Sequence, residues 1–417
     1  MPSGLQREKL VLAMVGLPAR GKTYTARKVA RYLQWSGYRA EVFNVGEHRR
    51  ARIGPGQPHE FFDPANRDAA VLLHSLAMEV LDRVIAWLGR DGDVAIYDAT
   101  NSTHERRAEI RRRCAAAGVD LFFIENVCTD PARVEVNIRA TKVGSPDYAK
   151  AEPEAATADF RRRIEHYEKA YQAVGDDEGG YIRSVDAGTQ VVVNRLEGYL
   201  SSRLVYFLMN LHLSERPIWL TRHGESIYNI SGRIGGDADL APRGERFARS
   251  LASFVHQRIS PNEEMVVWSS SLRRTIRTAE VIERPYVTWR ALDEIDAGIC
   301  DGMTYDEIKA SMPEEYAARA HDKFRYRYPR GESYQDVIQR LDSVIVELER
   351  QQKPVLVIAH QAVLRALYAY FTEVAPEDCP FLPIPLHAVV ELRPHAYGCE
   401  ERRIALAPLV AQSRSSG

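Results

Sequence analysis

Apolar runs alternate with amphipathic segments along the first half of the chain. The runs predict four buried strands, at residues 9–15, 40–45, 93–97 and 119–127. Helical periodicity of about 3.6 residues marks the segments 23–35, 65–89 and 105–117. Pro131 directly follows Asp130 and predicts the first turn of a further helix. This alternation is typical of a doubly wound, parallel α/β sheet.

A second alternation begins at Pro217. Predicted strands occupy residues 218–221, 265–268, 355–359, 388–392 and 404–408. Predicted helices occupy residues 242–259, 273–283, 333–350 and 362–371. The apolar segment 192–213 predicts a helix packed between the two halves. We therefore expect two α/β domains, at residues 1–213 and 214–417.

Composition narrows the class of protein. The chain has 417 residues, of which 45% are hydrophobic and 27% charged, as in ordinary globular proteins. Its net charge of −1 gives no general attraction to nucleic acid or to an anionic membrane. The five cysteines show neither a CxxC pair nor a metal-ligand spacing, and no signal-peptide or membrane-span pattern occurs. These features predict a cytoplasmic protein.

The first chemical motif follows the first strand. Residues 16–23 read GLPARGKT, which fits the P-loop pattern between a strand and a helix. Backbone N–H groups of such a loop surround phosphates. Lys22 would reach the β- and γ-phosphates of ATP, and the hydroxyl of Thr23 would ligate Mg²⁺.

An acid and several arginine runs accompany this loop. Asp98 ends the third predicted strand, where an acidic side chain can face Mg²⁺ and phosphate. The alternative role for Asp98 is to cap the next helix, although Ser102 and Thr103 are better placed for that. Arginine runs near residues 49, 106, 111 and 161 would suit a phosphorylated acceptor, but most such runs are solvated helix faces.

The second half carries a different phosphate chemistry. Arg222 and His223 follow a predicted strand, and His360 follows another. A neutral imidazole can attack phosphorus and form a phosphohistidine, provided that cations surround the phosphoryl oxygens. Arg222 and Arg274 supply cations, and Glu294 is the best acid for the leaving oxygen.

Ten sequence runs in one order resemble the bifunctional 6-phosphofructo-2-kinase/fructose-2,6-bisphosphatase family. They are GLPARGKTY (16–24), FNVGE (43–47), DATN (98–101), GSPDY (144–148), VVNR (192–195), RIGGD (233–237), EIDAG (294–298), YRYP (326–329), GESYQD (331–336) and HQAVLRALYAYF (360–371). The similarity extends from about residue 10 to residue 399. It implies a P-loop kinase-type parallel sheet followed by a histidine-phosphatase, phosphoglycerate-mutase-like α/β sandwich.

The resemblance implies that the first half transfers the γ-phosphoryl group of ATP to the 2-hydroxyl of fructose 6-phosphate. Residues matching the family's ATP-binding positions are Gly16, Ala19, Arg20, Gly21, Lys22, Thr23, Tyr24, Asn137 and Lys142. Residues matching its sugar-phosphate positions are Arg49, Thr100, Arg106, Arg163 and Tyr167. Asp98 and Cys128 match catalytic positions, with Thr23 and Asp98 at the Mg²⁺ ion.

For the second half, the resemblance implies hydrolysis of fructose 2,6-bisphosphate. His223 would be the nucleophile, Glu294 the proton donor and His360 a transition-state stabiliser, with Arg222 and Arg274 at the phosphoryl group. Residues matching substrate-binding positions are Asn229, Gly235, Tyr305, Arg319, Lys323, Tyr334, Gln361 and Arg365.

One departure from the family pattern keeps a rival reading open. Leu73 stands where the family usually has an arginine that contacts fructose 6-phosphate, and His74 or Arg67 would have to compensate. The chain could then be mainly a bisphosphatase with an ATP-sensing first half. A nucleic-acid end-processing kinase–phosphatase is a second rival, disfavoured by the net charge. The apolar segment 192–213 is compatible with a homodimer.

Overall fold

The protein divides into two compact units, residues 1–211 and 212–417. The computed structural model describes residues 9–141, 145–149, 151–212, 216–395 and 398–407. No helix within these ranges is long and apolar enough to cross a membrane. Each unit contains one six-stranded sheet covered by helices. The predicted α/β organisation is confirmed.

The first unit is built on strands β1 to β6, which are Leu10–Val15, Ala40–Asn44, Val94–Asp98, Asp120–Val127, Tyr181–Val185 and Gln190–Asn194. Its helices α1 to α7 are Lys22–Trp35, Val45–Ile53, Arg67–Arg90, His104–Ala116, Pro131–Thr141, Pro153–Ala170 and Tyr199–Met209. The strand order is β2-β3-β1-β4-β5-β6, parallel except for the last pair. Since parallel carboxyl ends meet at one edge, the P-loop and Asp98 lie at the same edge of the sheet.

The expected helix over 192–213 is wrong in its first part. Residues 190–194 form β6, which pairs antiparallel with β5, and the helix begins only at Tyr199. Three consecutive β-branched valines, 191–193, favour an extended strand over a helix. Gly198 has φ 92°, a conformation that glycine adopts readily, and it separates the strand from the helix.

The second unit contains strands β7 to β12, which are Ile218–Arg222, Val266–Ser269, Tyr286–Thr288, Val355–Ala359, Ala388–His395 and Gly398–Ala405. Because labels follow the chain, β10 is Val355–Ala359 and β8 is Val266–Ser269. Helices α8 to α15 are Ile227–Ser231, Pro242–Arg258, Arg273–Glu280, Tyr305–Ser311, Pro313–His321, Tyr334–Arg340, Asp342–Arg350 and Gln361–Thr372.

The order of this second sheet is β12-β11-β7-β10-β8-β9. Strands β7, β10, β8 and β9 run parallel to one another. Strand β11 is antiparallel to both of its neighbours, β7 and β12. Strands β7 and β10 are neighbours, so the residues that follow them, His223 and His360, lie side by side. The single helix expected at 333–350 is two helices, interrupted at Leu341, whose backbone is the shared cap.

Apolar packing fixes both sheets. In the first unit, β1 and β3 pack against α3 through residues such as Val11, Tyr97 and Leu81. In the second, β7 and β10 pack against α9 through residues such as Trp219, Ile358 and Phe247. These contacts remove large apolar surfaces from water, at about 25 cal/mol per Å² of area buried. The polar sites therefore stand on rigid strand ends.

Candidate functional sites

The loop between β1 and α1 has the backbone of a phosphate cradle. Gly16, Ala19 and Gly21 have φ values of 136°, 60° and 80°. A side chain at Gly16 would come within 2.4 Å of the carbonyl oxygen of Asn126, so the loop packs too closely against β4 for any other residue. Successive left-handed and right-handed residues turn backbone N–H groups toward one concavity, as anion sites require.

Lys22 and Asn137 hold this loop. Nζ of Lys22 donates to the carbonyl of Leu17 at 2.6 Å, within the loop itself. Nδ2 of Asn137, on α5, donates to the carbonyl of Ala19 at 3.0 Å. The structure thus brings the predicted Asn137 to the P-loop, whereas the predicted Lys142 lies outside the described residues.

Other predicted nucleotide contacts lie along the same loop and helix. Thr23 and Tyr24 are half-buried in the first turn of α1. Arg20 donates from Nη1 to the carbonyl of Pro18 at 3.2 Å and lies 3.5 Å from Glu168.

Asp98 is almost completely buried at the end of β3. Its Oδ2 accepts a hydrogen bond from Nδ2 of Asn44, which also caps α2. Thr103, not Asp98, caps α4, because its side chain accepts from the amide of Arg106. The capping alternative for Asp98 is therefore wrong. The carbonyl of Thr100 accepts from the amide of Gly16 at 3.0 Å, which ties this segment to the P-loop.

A buried arginine, Arg49, and a half-buried one, Arg163, form a second polar site in this unit. Nη2 of Arg49 donates to both carboxylate oxygens of Asp147 at 2.7 and 2.5 Å, and Nη1 of Arg163 lies 3.6 Å from Asp147. The guanidinium of Arg163 stacks 3.6 Å above the ring of Phe62, and that of Arg49 is 5.3 Å from it. The ring of Phe62 is 6.0 Å from that of Tyr167.

This arginine pair has N–H donors that Asp147 does not satisfy. Nε and Nη1 of Arg49 and Nε of Arg163 are buried without a hydrogen-bond partner. Although burial opposes it, the charges of Arg49 and Arg163 hold the pKa of Asp147 below its ordinary value. A buried guanidinium with open N–H groups is a ready site for a second anion, since each unsatisfied donor costs about 1–3 kcal/mol.

Arg106 contacts a histidine on α3, near the position where the family usually has an arginine and this chain has Leu73. Its Nε donates to Nδ1 of His74 at 3.1 Å. Burial and the charge of Arg106 lower the pKa of His74, so the ring is neutral and its remaining proton is on Nε2. His74 follows Leu73 on α3, and the structure thus places a polar donor beside the position of the missing arginine.

Cys128, one residue past β4, is half-buried, and its Sγ lies 3.8 Å from the carbonyl of Asp130. Burial raises the pKa of this thiol. The thiol is therefore protonated at neutral pH, which does not suit a nucleophile.

The second unit places His223 in a dry environment at the end of β7. His223 is 3% exposed, and its Nδ1 donates to the carbonyl of Gly224 at 2.6 Å. Burial, together with the charge of Arg274, lowers the pKa of His223 well below its ordinary value. The ring is thus neutral, with its proton on Nδ1 and a lone pair on Nε2. Nε of Arg274 donates to that Nε2 at 3.1 Å.

His360 is the neighbour of His223 across the two parallel strands. Its ring centroid lies 5.1 Å from that of His223, with 54° between the planes. His360 is fully buried, and its Nε2 is 2.7 Å from Oγ of Ser270. Burial and the charge of Arg274 lower the pKa of His360 well below its ordinary value, so it too is neutral.

Two guanidiniums and one carboxyl face this histidine pair. Arg274 also donates from Nη1 to the carbonyl of Gly236 at 2.6 Å. Burial lowers the pKa of Arg222 to about 10, so it stays charged at neutral pH, and its buried Nε has no hydrogen-bond partner. Oε1 of Glu294 accepts from the amides of Ile295 and Ala362 at 3.0 and 3.2 Å, which anchors the carboxyl at the start of α15.

These groups line one cavity of about 340 Å³. The predicted residues that line it are Arg222, His223, Asn229, Gly235, Arg274, Glu294, Tyr305, Arg319, Lys323, Tyr334, Gln361 and Arg365. His360 is not one of the lining residues, but its ring packs against that of His223, which is. The sequence reasoning missed Tyr228, Ile234, Tyr326 and Tyr328, which also line it. Ile234 lies in the run RIGGD, and Tyr326 and Tyr328 lie in the run YRYP, so the family resemblance is a signal for these three. Tyr228 lies on the short helix α8, which has no periodic signal.

A second group of cations lies in the same cavity. Arg319 donates to the hydroxyls of Tyr305 and Tyr328, at 2.8 Å each, and Nη1 of Arg365 donates to the hydroxyl of Tyr334 at 3.2 Å. Nζ of Lys323 donates to the carbonyl of Pro380 at 2.9 Å. Burial, with the charges of Arg365 and Arg319, lowers the pKa of Lys323 to about 8.

One unit thus joins a P-loop to an arginine pair, and the other unit holds a neutral histidine pair beside a cation-lined cavity. Together they define a chain that combines a nucleotide-dependent phosphotransferase with a histidine phosphatase. Residues 2–215 match the family model of 6-phosphofructo-2-kinase, and residues 218–406 match that of the histidine phosphatase superfamily (branch 1). The kinase domain implies a nucleotide substrate.

Known proteins with both domains resemble the chain over nearly its full length. It is 48% identical over 400 residues to 6-phosphofructo-2-kinase/fructose-2,6-bisphosphatase 4 of Homo sapiens, covering 95% of this chain and 85% of that protein. It is 48% identical over 403 residues to the 6-phosphofructo-2-kinase/fructose-2,6-bisphosphatase of Arabidopsis thaliana, covering 95% and 54%. The chain therefore belongs to the bifunctional 6-phosphofructo-2-kinase/fructose-2,6-bisphosphatase family.

Solved structures resemble one half of the chain. The alpha-ribazole phosphatase of Shigella flexneri aligns with 47% of this chain and 100% of its own, at 22% identity and a TM-score of 0.42. A mycobacterial glucosyl-3-phosphoglycerate phosphatase aligns with 46% and 99%, at 25% identity and a TM-score of 0.40.

Proposed function

We propose that the chain synthesises fructose 2,6-bisphosphate from fructose 6-phosphate and ATP, and hydrolyses it to fructose 6-phosphate and phosphate. Residues 1–213 would carry the kinase activity and residues 214–417 the bisphosphatase activity. Family membership, together with two separate phosphate sites in two compact units, supports this assignment.

The residues at the P-loop fit ATP with Mg²⁺. A hydroxyl from Thr23 and a carboxylate from Asp98 are hard oxygen ligands, which Mg²⁺ prefers, and such sites usually leave several positions to water and phosphate. Mg²⁺ would neutralise phosphate charge, while Lys22 exchanges its bond with Leu17 for a phosphate oxygen.

Fructose 6-phosphate would bind at the arginine pair. Arg49 and Arg163 have buried N–H groups without partners, which a phosphate could satisfy. Tyr167 adjoins Phe62 of this group, Arg106 interacts with Tyr167, and His74, which accepts from Arg106, offers a further N–H through Nε2. We assign to His74 part of the role that the family's arginine has at the position of Leu73.

In the bisphosphatase, Nε2 of His223 would attack the phosphorus of the 2-phosphate. The bond from phosphorus to the sugar 2-oxygen breaks as the N–P bond forms, and Glu294 gives its proton to that oxygen. Water then attacks the phosphohistidine, Glu294 takes a proton from the water, and Nε2 recovers its lone pair. Arg222 and Arg274 would stabilise the charge on the phosphoryl oxygens in both steps.

The cavity of the second unit carries this proposal. It contains a neutral nucleophile between two guanidiniums, and also a separate group formed by Arg319, Lys323 and Arg365. Two cationic groups in one cavity suit a sugar with two phosphates, of which only the one beside His223 meets a nucleophile. Asn229, Gly235, Tyr305, Tyr334 and Gln361 would complete the contacts with the sugar.

A direct test is a rapid-quench experiment in which the enzyme is mixed with fructose 2,6-bisphosphate labelled at the 2-phosphate and the reaction is stopped after short times. We expect an acid-labile, alkali-stable phosphoenzyme followed by release of labelled phosphate. Fructose 1,6-bisphosphate, which carries no 2-phosphate, is the matched control and should label nothing. Hydrolysis without any phosphoenzyme would contradict the proposal.

A mainly bisphosphatase enzyme is the second candidate. Two observations favour it: Leu73 is apolar, and the carboxylate of Asp147 already binds Arg49. Equal turnover numbers for synthesis and hydrolysis under saturating substrates would exclude it. A homodimer and a cytoplasmic location stay predictions, of which light scattering checks the first.

A further inference from the structure

Ser270 is a fully buried side chain beside His360 that the proposed mechanism does not use. It follows the last residue of β8, and its amide donates to the carbonyl of Ile358 on β10 at 3.2 Å. Its Oγ is 2.7 Å from Nε2 of His360. The pairing of the two strands therefore fixes the distance between this hydroxyl and the imidazole.

The hydroxyl of Ser270 has three neighbours. The amide of Leu272 donates to it at 3.2 Å, while Oγ1 of Thr275 and Nε2 of His360 each lie 2.7 Å away. A serine hydroxyl has one proton and two lone pairs. The amide of Leu272 uses one lone pair of Ser270. Oγ1 of Thr275 has one proton and two acceptors at 2.7 Å, which are Oγ of Ser270 and the carbonyl of Leu272. Ser270 therefore either donates to Nε2 of His360 and accepts from Thr275, or donates to Thr275 and accepts from Nε2 while Thr275 donates to the carbonyl of Leu272.

This choice decides which nitrogen of His360 carries the proton. Burial lowers the pKa of His360, so the ring holds one proton only. If Ser270 donates to Nε2, the ring proton is on Nδ1. If Ser270 accepts from Nε2, then Nδ1 is a bare lone pair.

Nδ1 of His360 is itself informative. It is buried without a hydrogen-bond partner, in a ring packed against His223 and influenced by the charges of Arg274 and Arg222. A phosphoryl group bound at His223 brings oxygens that only accept hydrogen bonds. A bare lone pair would repel them, whereas an N–H would donate to them.

We propose that Ser270 is a positioning residue of the phosphatase, which donates its hydroxyl proton to Nε2 of His360 and thereby keeps the ring proton on Nδ1. From Nδ1, His360 donates to the phosphoryl group in the transition state. Thr275 donates to Ser270 in turn, rather than to the carbonyl of Leu272 at the same distance. The hydrogen bond that one ring nitrogen makes commonly sets the protonation of the other. This inference rests on the proposed phosphohistidine reaction.

Ser270→Ala removes the donor, and Ser269→Ala is its matched control. Ser269 is equally buried, but its Oγ donates to the carbonyl of Ser270 at 2.9 Å and does not contact His360. We expect Ser270→Ala to lower kcat of the bisphosphatase by about 10- to 100-fold, with KM within about twofold. Ser270→Thr keeps the hydroxyl and should retain most of kcat. Equal kcat values in the two alanine variants would overturn the proposal.

Nitrogen-15 NMR of His360 tests the proton without substrate. The resonances of His360 are identified by their loss in His360→Gln. In the unaltered enzyme we expect a protonated Nδ1 and an unprotonated Nε2, and Ser270→Ala should move the proton at least partly to Nε2. A protonated Nε2 in the unaltered enzyme would refute the proposal, even if Ser270→Ala fails to fold. If the unaltered enzyme lacks bisphosphatase activity but shows the Nδ1 proton, the proposed function fails and the role of Ser270 in the tautomer stands.

Discussion

The two phosphate sites differ in how completely the chain alone assembles them. In the phosphatase unit, the nucleophile, both guanidiniums and Glu294 line one cavity, and His223 already has its proton on the nitrogen away from Arg274. In the kinase unit, Lys22 binds a carbonyl of its own loop and Arg49 binds Asp147. These bonds must be exchanged when ATP and sugar phosphate bind.

This difference follows from the chemistry of each half. A phosphohistidine enzyme supplies its own nucleophile, so its site must be ready before substrate arrives. A P-loop kinase supplies position and charge around a nucleotide and a metal ion that it has to acquire. Temporary bonds such as that from Lys22 to Leu17 satisfy buried charges until then. We therefore expect substitutions in the phosphatase site to lower the rate of the chemical step, and substitutions in the kinase site to weaken substrate binding as well.

Substitution of the phosphatase nucleophile should give the largest effect. His223→Ala should lower bisphosphatase activity by at least about 1,000-fold and remove the phosphoenzyme, because no other group forms the N–P bond. Kinase activity should be unchanged, since the variant leaves the first unit intact. His256→Ala is the control, because that histidine donates from Nε2 to the carbonyl of Ile282 and does not line the cavity. A phosphoenzyme that persists in His223→Ala would show that another residue is the nucleophile.

The reciprocal change in the kinase unit should be nearly as large. Lys22→Ala removes the cation expected at the transferring phosphate, and synthesis of bisphosphate should fall by about 100-fold or more. Bisphosphatase activity serves as the internal control and should stay at the level of the unaltered enzyme. Undiminished synthesis would remove the P-loop from the mechanism.

Leu73→Arg tests whether the absent arginine limits the kinase activity. An added charge-assisted contact to phosphate contributes about 1.5–3 kcal/mol, so KM for fructose 6-phosphate should fall by roughly 10- to 100-fold. Leu72→Arg, on the same helix but at a more exposed position, is the matched control. If Leu73→Arg changes neither KM nor kcat, the absent arginine does not limit the kinase, and the groups already present, His74 among them, are sufficient.

A pH profile separates the second cationic group from the nucleophile. Burial lowers the pKa of Lys323 to about 8, so this side chain is charged below pH 8 and loses its charge as pH rises through that value. If Lys323 holds the second phosphate, kcat/KM of the bisphosphatase at pH 9 should be roughly 10-fold below that at pH 7. Lys323→Arg stays charged throughout and should flatten this limb. An identical decline in both enzymes would assign the titration elsewhere.

The sequence predicts the strands that carry the chemical residues better than it predicts the others. Strand β12 is Gly398–Ala405 rather than 404–408, and β6 and β9 have no predicted counterpart. The strands before the P-loop, Asp98, His223 and His360 were all identifiable, because buried parallel strands read as continuous apolar runs. The segment 192–213 predicts one helix but contains the end of β6 and the helix α7. An apolar run does not by itself distinguish a strand from a helix. Contacts such as those of Phe62 with Arg163, or of His74 with Arg106, join residues far apart in sequence and leave no periodic trace.

The central claim is that the two sites act on the same hydroxyl of the same sugar. The most direct test is to follow the γ-phosphoryl group of ATP through both sites. The purified protein would be incubated with Mg²⁺, fructose 6-phosphate and γ-labelled ATP, and the ATP then removed. We predict label first in acid-labile fructose 2,6-bisphosphate, then on His223, and finally in free phosphate. Label that reaches His223 or phosphate without fructose 6-phosphate, or that never enters the bisphosphate, would contradict the account.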